Sequence, residues 1–342
     1  MKKIFLLILL LSLSLPINAQ KKFTSKDSTN LYFKELFRTL KNGYLHKNDI
    51  KWNEIEKETN KNLDKYNSFI ASLDEIEVLF SKIGARHCNI YINNRTYSSS
   101  PKSVKEKLSE EWKAKYAANP TFETKVINDE FGYILIPKIV FSDISSENIH
   151  KVAQPLYDQI ANLKLNNNLK GWIDDLRFNT GGNSWPMVLA LYDFLGDNKI
   201  LGNLNADKKQ ENIIKLENGA YYDNSKKVSS INPKGKLLDN EKVVIITSPA
   251  TGSSGEIVAI SFKGRKNTIF IGQETYGATT GNIKAELPFK SYMALTTSYD
   301  CDRNGNYYET VIPYISISNG DNYTNLTSDS NIKEAIKYFK RS

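Results

Sequence analysis

The chain has 342 residues, 46 Lys plus Arg against 38 Asp plus Glu, a net charge of +8, and only two cysteines. This length can bury a sizeable core and suffices for two domains, or for one large domain with an appendage. The basic excess is spread out, with no arginine-rich arm and no basic block interleaved with aromatics, so nucleic acid is not an expected partner. Cys88 and Cys301 are too few for a disulfide scaffold and have no histidine spacing that suits zinc. No metal and no cofactor are expected.

Residues 1–19 read as a cleavable export signal. Lys2 and Lys3 give the positive start, Ile4 to Leu15 the apolar stretch, and Ile17-Asn18-Ala19 a small residue at the cleavage position. The apolar run is shorter than the roughly 20 residues a bilayer span takes, and no cysteine follows it for lipid attachment. The expected mature protein is exported, periplasmic or extracellular, with no stable membrane insertion after cleavage. It keeps 44 basic and 38 acidic residues, a charge of +6.

From Ser28 to about Phe80 the apolar residues recur with helical period, as in Leu31, Phe33, Leu36, Phe37 and Leu40. Asn89 to Ile92 alternates like a strand, and Pro101 to Ala118 reads as a charged helical connector. Residues 20–118 are therefore expected to form a small helical N-terminal domain with its connector, and residues 119–342 the core. In the core, Phe131 to Ile136 is a strand. Ser146 to Leu163 is a helix that Pro155 should kink or delay. Gly171 to Leu176 is a strand, followed by Gly181-Gly182 and a helix over Met187 to Phe194. Residues 196–240 are polar and read as an insertion or hairpin. Val243 to Thr247 is an apolar strand of the kind buried on both faces, followed by a Gly/Ser turn, a helix over Ser254 to Phe262 and the strand Thr268 to Ile271. Alternating strands and helices imply right-handed crossovers and a mainly parallel α/β sheet.

Ligands of such sheets gather at the carboxyl ends of the strands. Two ends here are rich in glycine and hydroxyl groups: Leu176 to Asn183, and Ser248 to Glu256. A serine at a strand-to-helix turn lies where backbone N–H groups and the helix dipole stabilise developing negative charge, which suits an acyl-transfer nucleophile. The N–H of Ser254 is one candidate oxyanion donor, and Gly181 or Gly182 the other. On capping statistics alone, ordinary helix caps explain Ser and Gly in these places better, roughly three to one. Of three histidines, His46 and His150 fall in polar helical stretches. His87 stands where the helical part meets a strand, the kind of junction where clefts form.

Taken together, these segments resemble the tail-specific, or C-terminal-processing, family of serine peptidases, which includes the tricorn protease core. Asp174 to Asn183 resembles the family's "DLR-x-N-x-GG" strand and turn. Gly252 to Ala259 resembles its nucleophile segment, in which the reactive serine stands three residues before a glutamate, here Ser253 before Glu256. Gly272 to Gly277 resembles its "G-E-x-T-x-G" stretch. The resemblance implies a crotonase/Clp-protease-like spiral of βα units and a peptide or protein substrate. It also implies an acyl-enzyme on Ser253. The lysine of the family's Ser–Lys members is replaced by Ala278, which leaves the tricorn-like histidine, His87, as general base. Arg86 precedes it where tricorn has a serine. Glu309, or a nearby acid such as Asp300, would orient the imidazole. Only about 30 residues separate the strand near Ile92 from the core, too few for the family's PDZ module of about 80–90. A relay near both cysteines would also bring Cys88 and Cys301 together for a disulfide. Two other readings of this sequence are a non-catalytic peptide-binding relative of the same fold and, by fold analogy alone, an acyl-thioester enzyme.

Overall fold

A computed structural model describes residues 24–100 and 103–341; the export-signal reading of residues 1–19 lies outside them. The N-terminal part comprises α1 (Ser25–Gly43), α2 (Trp52–Leu63), α3 (Phe69–Ser72), α4 (Glu75–Lys82), β1 (Asn89–Ile92), β2 (Arg95–Ser98) and α5 (Glu110–Ala117). Next come β3 (Glu123–Ile127), β4 (Phe131–Leu135), α6 (Ser146–Asn166), β5 (Gly171–Asp175), α7 (Ser184–Ala190) and α8 (Tyr192–Leu195). An antiparallel run, β6 (Lys199–Leu204), β7 (Gln210–Glu217), β8 (Ala220–Asp223) and β9 (Lys226–Ser230), leads to β10 (Val243–Thr247), α9 (Ser254–Ser261) and β11 (Thr268–Gly272). The chain ends with β12 (Thr280–Leu287), β13 (Ser291–Asp302), β14 (Ile315–Ser316) and α10 (Ser330–Lys340).

Two sheets result. One is mainly parallel, in the order β14-β11-β10-β5-β4-β3, with β3 antiparallel at its edge. The other is antiparallel, in the order β2-β1-β13-β6-β7-β8-β9, and β12 also pairs with β13. β10 shows why the first is buried on both faces. Val243 and Ile245 join a core cluster with residues of α6, α7 and α9, whereas Val244 and Ile246 join one with residues of α5 and α10. Each such buried side chain contributes about 1.5–3 kcal/mol.

The N-terminal helices share one core with the antiparallel sheet. Tyr32, Phe33, Leu36, Leu79 and Phe80 pack with Ile90, Leu287, Met293 and Leu295, so α1 to α4 cover the antiparallel sheet. α1 begins in a capping box in which the Asp27 N–H donates to Thr24 Oγ1 and the Thr24 N–H donates to Asp27 Oδ2. β1 and β2 turn through Asn93 and Asn94, both at positive φ, as a two-residue hairpin requires.

Three expectations change. α6 runs unbroken from Ser146 through Pro155, whose ring lies on the exposed face while Ile149, Ala153, Tyr157 and Ile160 are buried. Residues 196–240 hold four paired strands, more than the single hairpin expected. Cys88 and Cys301 are buried free thiols, not a disulfide. Cys88 Sγ meets Thr296 on β13, and Cys301 stands five residues further along that strand, about 16 Å away at ~3.3 Å per residue. A disulfide needs Cα atoms within about 7 Å. Among the described residues no helix is long and apolar enough to cross a membrane.

Candidate active site

The carboxyl ends of β5 and β10 lie side by side, because the two strands pair in parallel from Trp172 opposite Val243 to Asp175 opposite Ile246. The turns that leave them are bonded to one another. Ser248 Oγ donates to the Arg177 carbonyl (3.0 Å), Thr251 Oγ1 to the Leu176 carbonyl (2.9 Å), and the Gly252 N–H to the Asn179 carbonyl (3.0 Å). Arg177 is buried and held by Asp175, Asp321 and Asp329, which ties the C-terminal segment to the same turn. Gly255 belongs to this junction by necessity, since a Cβ there would come within 2.4 Å of the Asn179 carbonyl oxygen.

Ser253 stands at the top of this frame with φ 51° and ψ −116°, a conformation that non-glycine residues rarely adopt. The Glu256 carboxylate holds it there. Fully buried, Glu256 accepts from the N–H groups of Ser253 (3.0 Å), Gly277 (2.8 Å) and Ala278 (2.7 Å) and from Thr275 Oγ1. Burial pushes its pKa up, and these hydrogen bonds pull it back. Thr275 Oγ1 already accepts from the Val311 N–H at 2.8 Å, so its own proton goes to Glu256. Every neighbour is then a donor, as an ionised carboxylate requires.

His87 arrives from the other sheet, two residues before β1. Its Nε2 is 3.0 Å from Ser253 Oγ. Its Nδ1 is 2.8 Å from Thr280 Oγ1 at the start of β12. Its carbonyl accepts from Asn282 Nδ2 at 3.0 Å. Burial lowers its pKa from 6.5 to about 4, with Thr280 pulling weakly the other way. The ring is therefore neutral at physiological pH. With its proton on Nδ1, facing Thr280, Nε2 is free to accept from the serine hydroxyl.

The other expected residues separate. Gly181 lies over Ser253, where a Cβ would come within 3.2 Å of Ser253 Cβ, and its N–H donates to Asn179 Oδ1 at 3.2 Å. The N–H groups of Gly182 and Ser254 have no acceptor among the described residues, and Ser254 Oγ bonds the Gly182 carbonyl. Neither acid reaches His87. Glu309 is exposed and meets the site only through its carbonyl, which accepts from Thr279 Oγ1 at 3.2 Å. Asp300 Oδ1 accepts from Asn203 Nδ2 at 2.7 Å. Thr280 takes the place expected of an acid. Arg86 is exposed at the edge of the cleft beside Ser253.

The sequence profile of Peptidase family S41 matches residues 130–317, more than half of the chain. The chain belongs to peptidase family S41. Within this family it is similar to the nisin-resistance protein of Lactococcus lactis subsp. lactis, 31% identical over 160 residues. That match covers 45% of this chain and 48% of the relative, so it spans about half of the relative's length. Its fold is similar to a Streptococcus agalactiae lipoprotein at TM-score 0.65 and 23% identity, over 92% of this chain and 96% of that one. It is also similar to a candidate peptidase of Parabacteroides merdae, at TM-score 0.61 and 16% identity, over 91% and 96% of the two chains. For the photosystem II D1 C-terminal processing protease the values are 0.53 and 14%, over 86% and 94%. These likenesses agree with the α/β peptidase fold and the C-terminal-processing family expected from the motifs at Asp174 to Asn183 and Gly252 to Ala259.

Proposed function

We propose that this chain is an exported serine peptidase that hydrolyses peptide bonds through an acyl-enzyme on Ser253, with His87 as general base. The observation that carries the reading is the 3.0 Å contact between Ser253 Oγ and a neutral His87 Nε2. His87 takes the hydroxyl proton as Oγ attacks the substrate carbonyl, and the open N–H groups of Gly182 and Ser254 receive the oxyanion. The C–N bond then breaks, and the imidazolium returns its proton to the departing amine. Water, deprotonated by the same ring, attacks the ester and regenerates the serine. Thr280, in place of an acid, fixes the ring's orientation.

The apolar start of the sequence supports export, as do relatives whose names concern a lipoprotein and nisin resistance. The second of these extends the proposal to peptides outside the cell as a substrate class. An active-site-directed fluorophosphonate tests the mechanism. Labelling of the unmodified chain that disappears in Ser253→Ala is the expected result. Equal labelling of both would overturn the assignment to Ser253, and peptide binding undiminished in His87→Ala with no turnover by either form would favour a non-catalytic peptide-binding relative.

A further inference from the structure

An open cavity lies on either side of the Ser253–His87 pair, and the two differ in charge. The first, about 760 Å³, is lined by Arg86, Lys105 and Lys113 with the rings of Trp112 and Tyr116, and by no carboxylate among the described residues. The second, about 660 Å³, is lined by Glu211, Asp223 and Asp300, and by no Lys or Arg among the described residues.

Asp300 forms the floor of the second cavity. It is only 6% exposed, and its Oδ2 has no hydrogen-bond partner. Asn212 presents a second unpartnered acceptor, Oδ1, while its Nδ2 donates to Asp223 Oδ1 at 2.9 Å. None of the three carboxylates has an ion pair among the described residues. A buried acceptor left unmade costs about 1–3 kcal/mol, so a donor brought to this wall of the cavity is favoured. The acceptors do not converge on a point, and no three acidic, His or Cys side chains among the described residues could hold a metal ion. They are spread along a wall that includes Trp185, Leu201 and Ile214. That arrangement suits a long side chain with an apolar stem and several donors fanned out at its tip.

We propose that this cavity is a subsite for an arginine side chain of the substrate, held next to the scissile bond with its guanidinium against Asp300. The inference rests on the peptidase reading and names the residue that peptidase prefers. Glu211, exposed at the rim, draws the cation in, and Asp300 with Asn212 receives its N–H groups. The basic first cavity excludes the same side chain, so a peptide lies across Ser253 in one direction only.

N-acetyl-arginine amide and its near-isostere N-acetyl-citrulline amide, which loses the charge and exchanges one NH₂ for an acceptor oxygen, can be compared by NMR titration for binding to the unmodified chain and to Ser253→Ala. The arginine derivative is expected to bind at least about tenfold more tightly to both, the worth of one charge-assisted contact. Asp300→Asn should bring the ratio close to one, and Glu211→Lys, an exposed change that leaves the core intact, should lower it severalfold. A ratio near one in the unmodified chain overturns the proposal, as does a ratio that both variants leave unchanged. If Asp300→Asn fails to fold, Glu211→Lys decides alone. Cleavage sites read from a peptide mixture separate the two claims. Turnover without arginine enrichment sinks the subsite and keeps the peptidase. Arginine-selective binding without turnover does the reverse.

Discussion

The two sheets hold Ser253 and His87 in different ways. On the parallel sheet, Ser253 is over-determined, its turn bonded to the β5 turn at three points and its backbone to a carboxylate with four donors. On the antiparallel sheet, the His87 ring is held by Thr280 alone besides the serine itself. The strained partner is clamped, and the ring proposed to carry the proton has one light tether. The difference indicates where the geometry resists change and where it gives.

Removing the ring is the harshest way to break this comparison. His87→Ala should lower kcat/KM by at least about 10³-fold without altering the Ser253 turn, and steady-state kinetics with a circular dichroism spectrum will show both. Releasing the clamp comes next. Glu256→Gln sets a side-chain NH₂ against backbone N–H groups, so Ser253 shifts and kcat falls about 10²-fold, as for a misplacement of about 1 Å. Phosphonate labelling should slow with it, which simple destabilisation would not produce in the folded fraction. The tether should matter less. Thr280→Val removes the hydroxyl that meets Nδ1 and should reduce kcat roughly tenfold with KM little changed. A larger loss than for Glu256→Gln would reverse the ranking of the two sheets.

The smallest effect is on stability, and it has opposite signs in the two sheets. Folded His87 protonates near pH 4 but near 6.5 when unfolded. Between those values the unfolded chain binds more protons, so the stability His87 contributes is present above pH 6.5 and lost as pH falls toward 4. Asp174, on β5, has both carboxyl oxygens unpartnered, and burial raises its pKa from 3.8 to about 8. Its contribution is present below pH 3.8 and lost as pH rises toward 8. Asp174→Asn should flatten the alkaline side of a Tm-against-pH curve, and His87→Gln the acid side. Activity should fall away only near pH 4, well below the 6.5 of an exposed histidine.

The parallel sheet was legible from residues alone, because a strand buried on both faces, such as Val243 to Thr247, leaves an unbroken apolar run. The strands from Lys199 to Ser230 were not. β7 is half-exposed along most of its length, and its polar residues read as a loop. Ser253 and His87 carry local signals, a Gly/Ser turn and a junction position. Thr280 carries none: its role comes from a contact across 193 residues of sequence, and a threonine two residues after the missing lysine looks like any other. Searching for an acid pointed instead to Glu309 and Asp300. Glu256 was visible as part of a motif, but only its four donors disclose what it does.

β13 has a consequence for the order of folding. It pairs with β1 near one end, β6 at the other and β12 along its length. His87 therefore meets Ser253, 166 residues away in sequence, only after the last strands of the chain have met the first. Such long-range closures are slow and late. Under the proposed mechanism, a chain still assembling carries its serine turn without its base and has no peptidase activity until the N-terminal strands are seated.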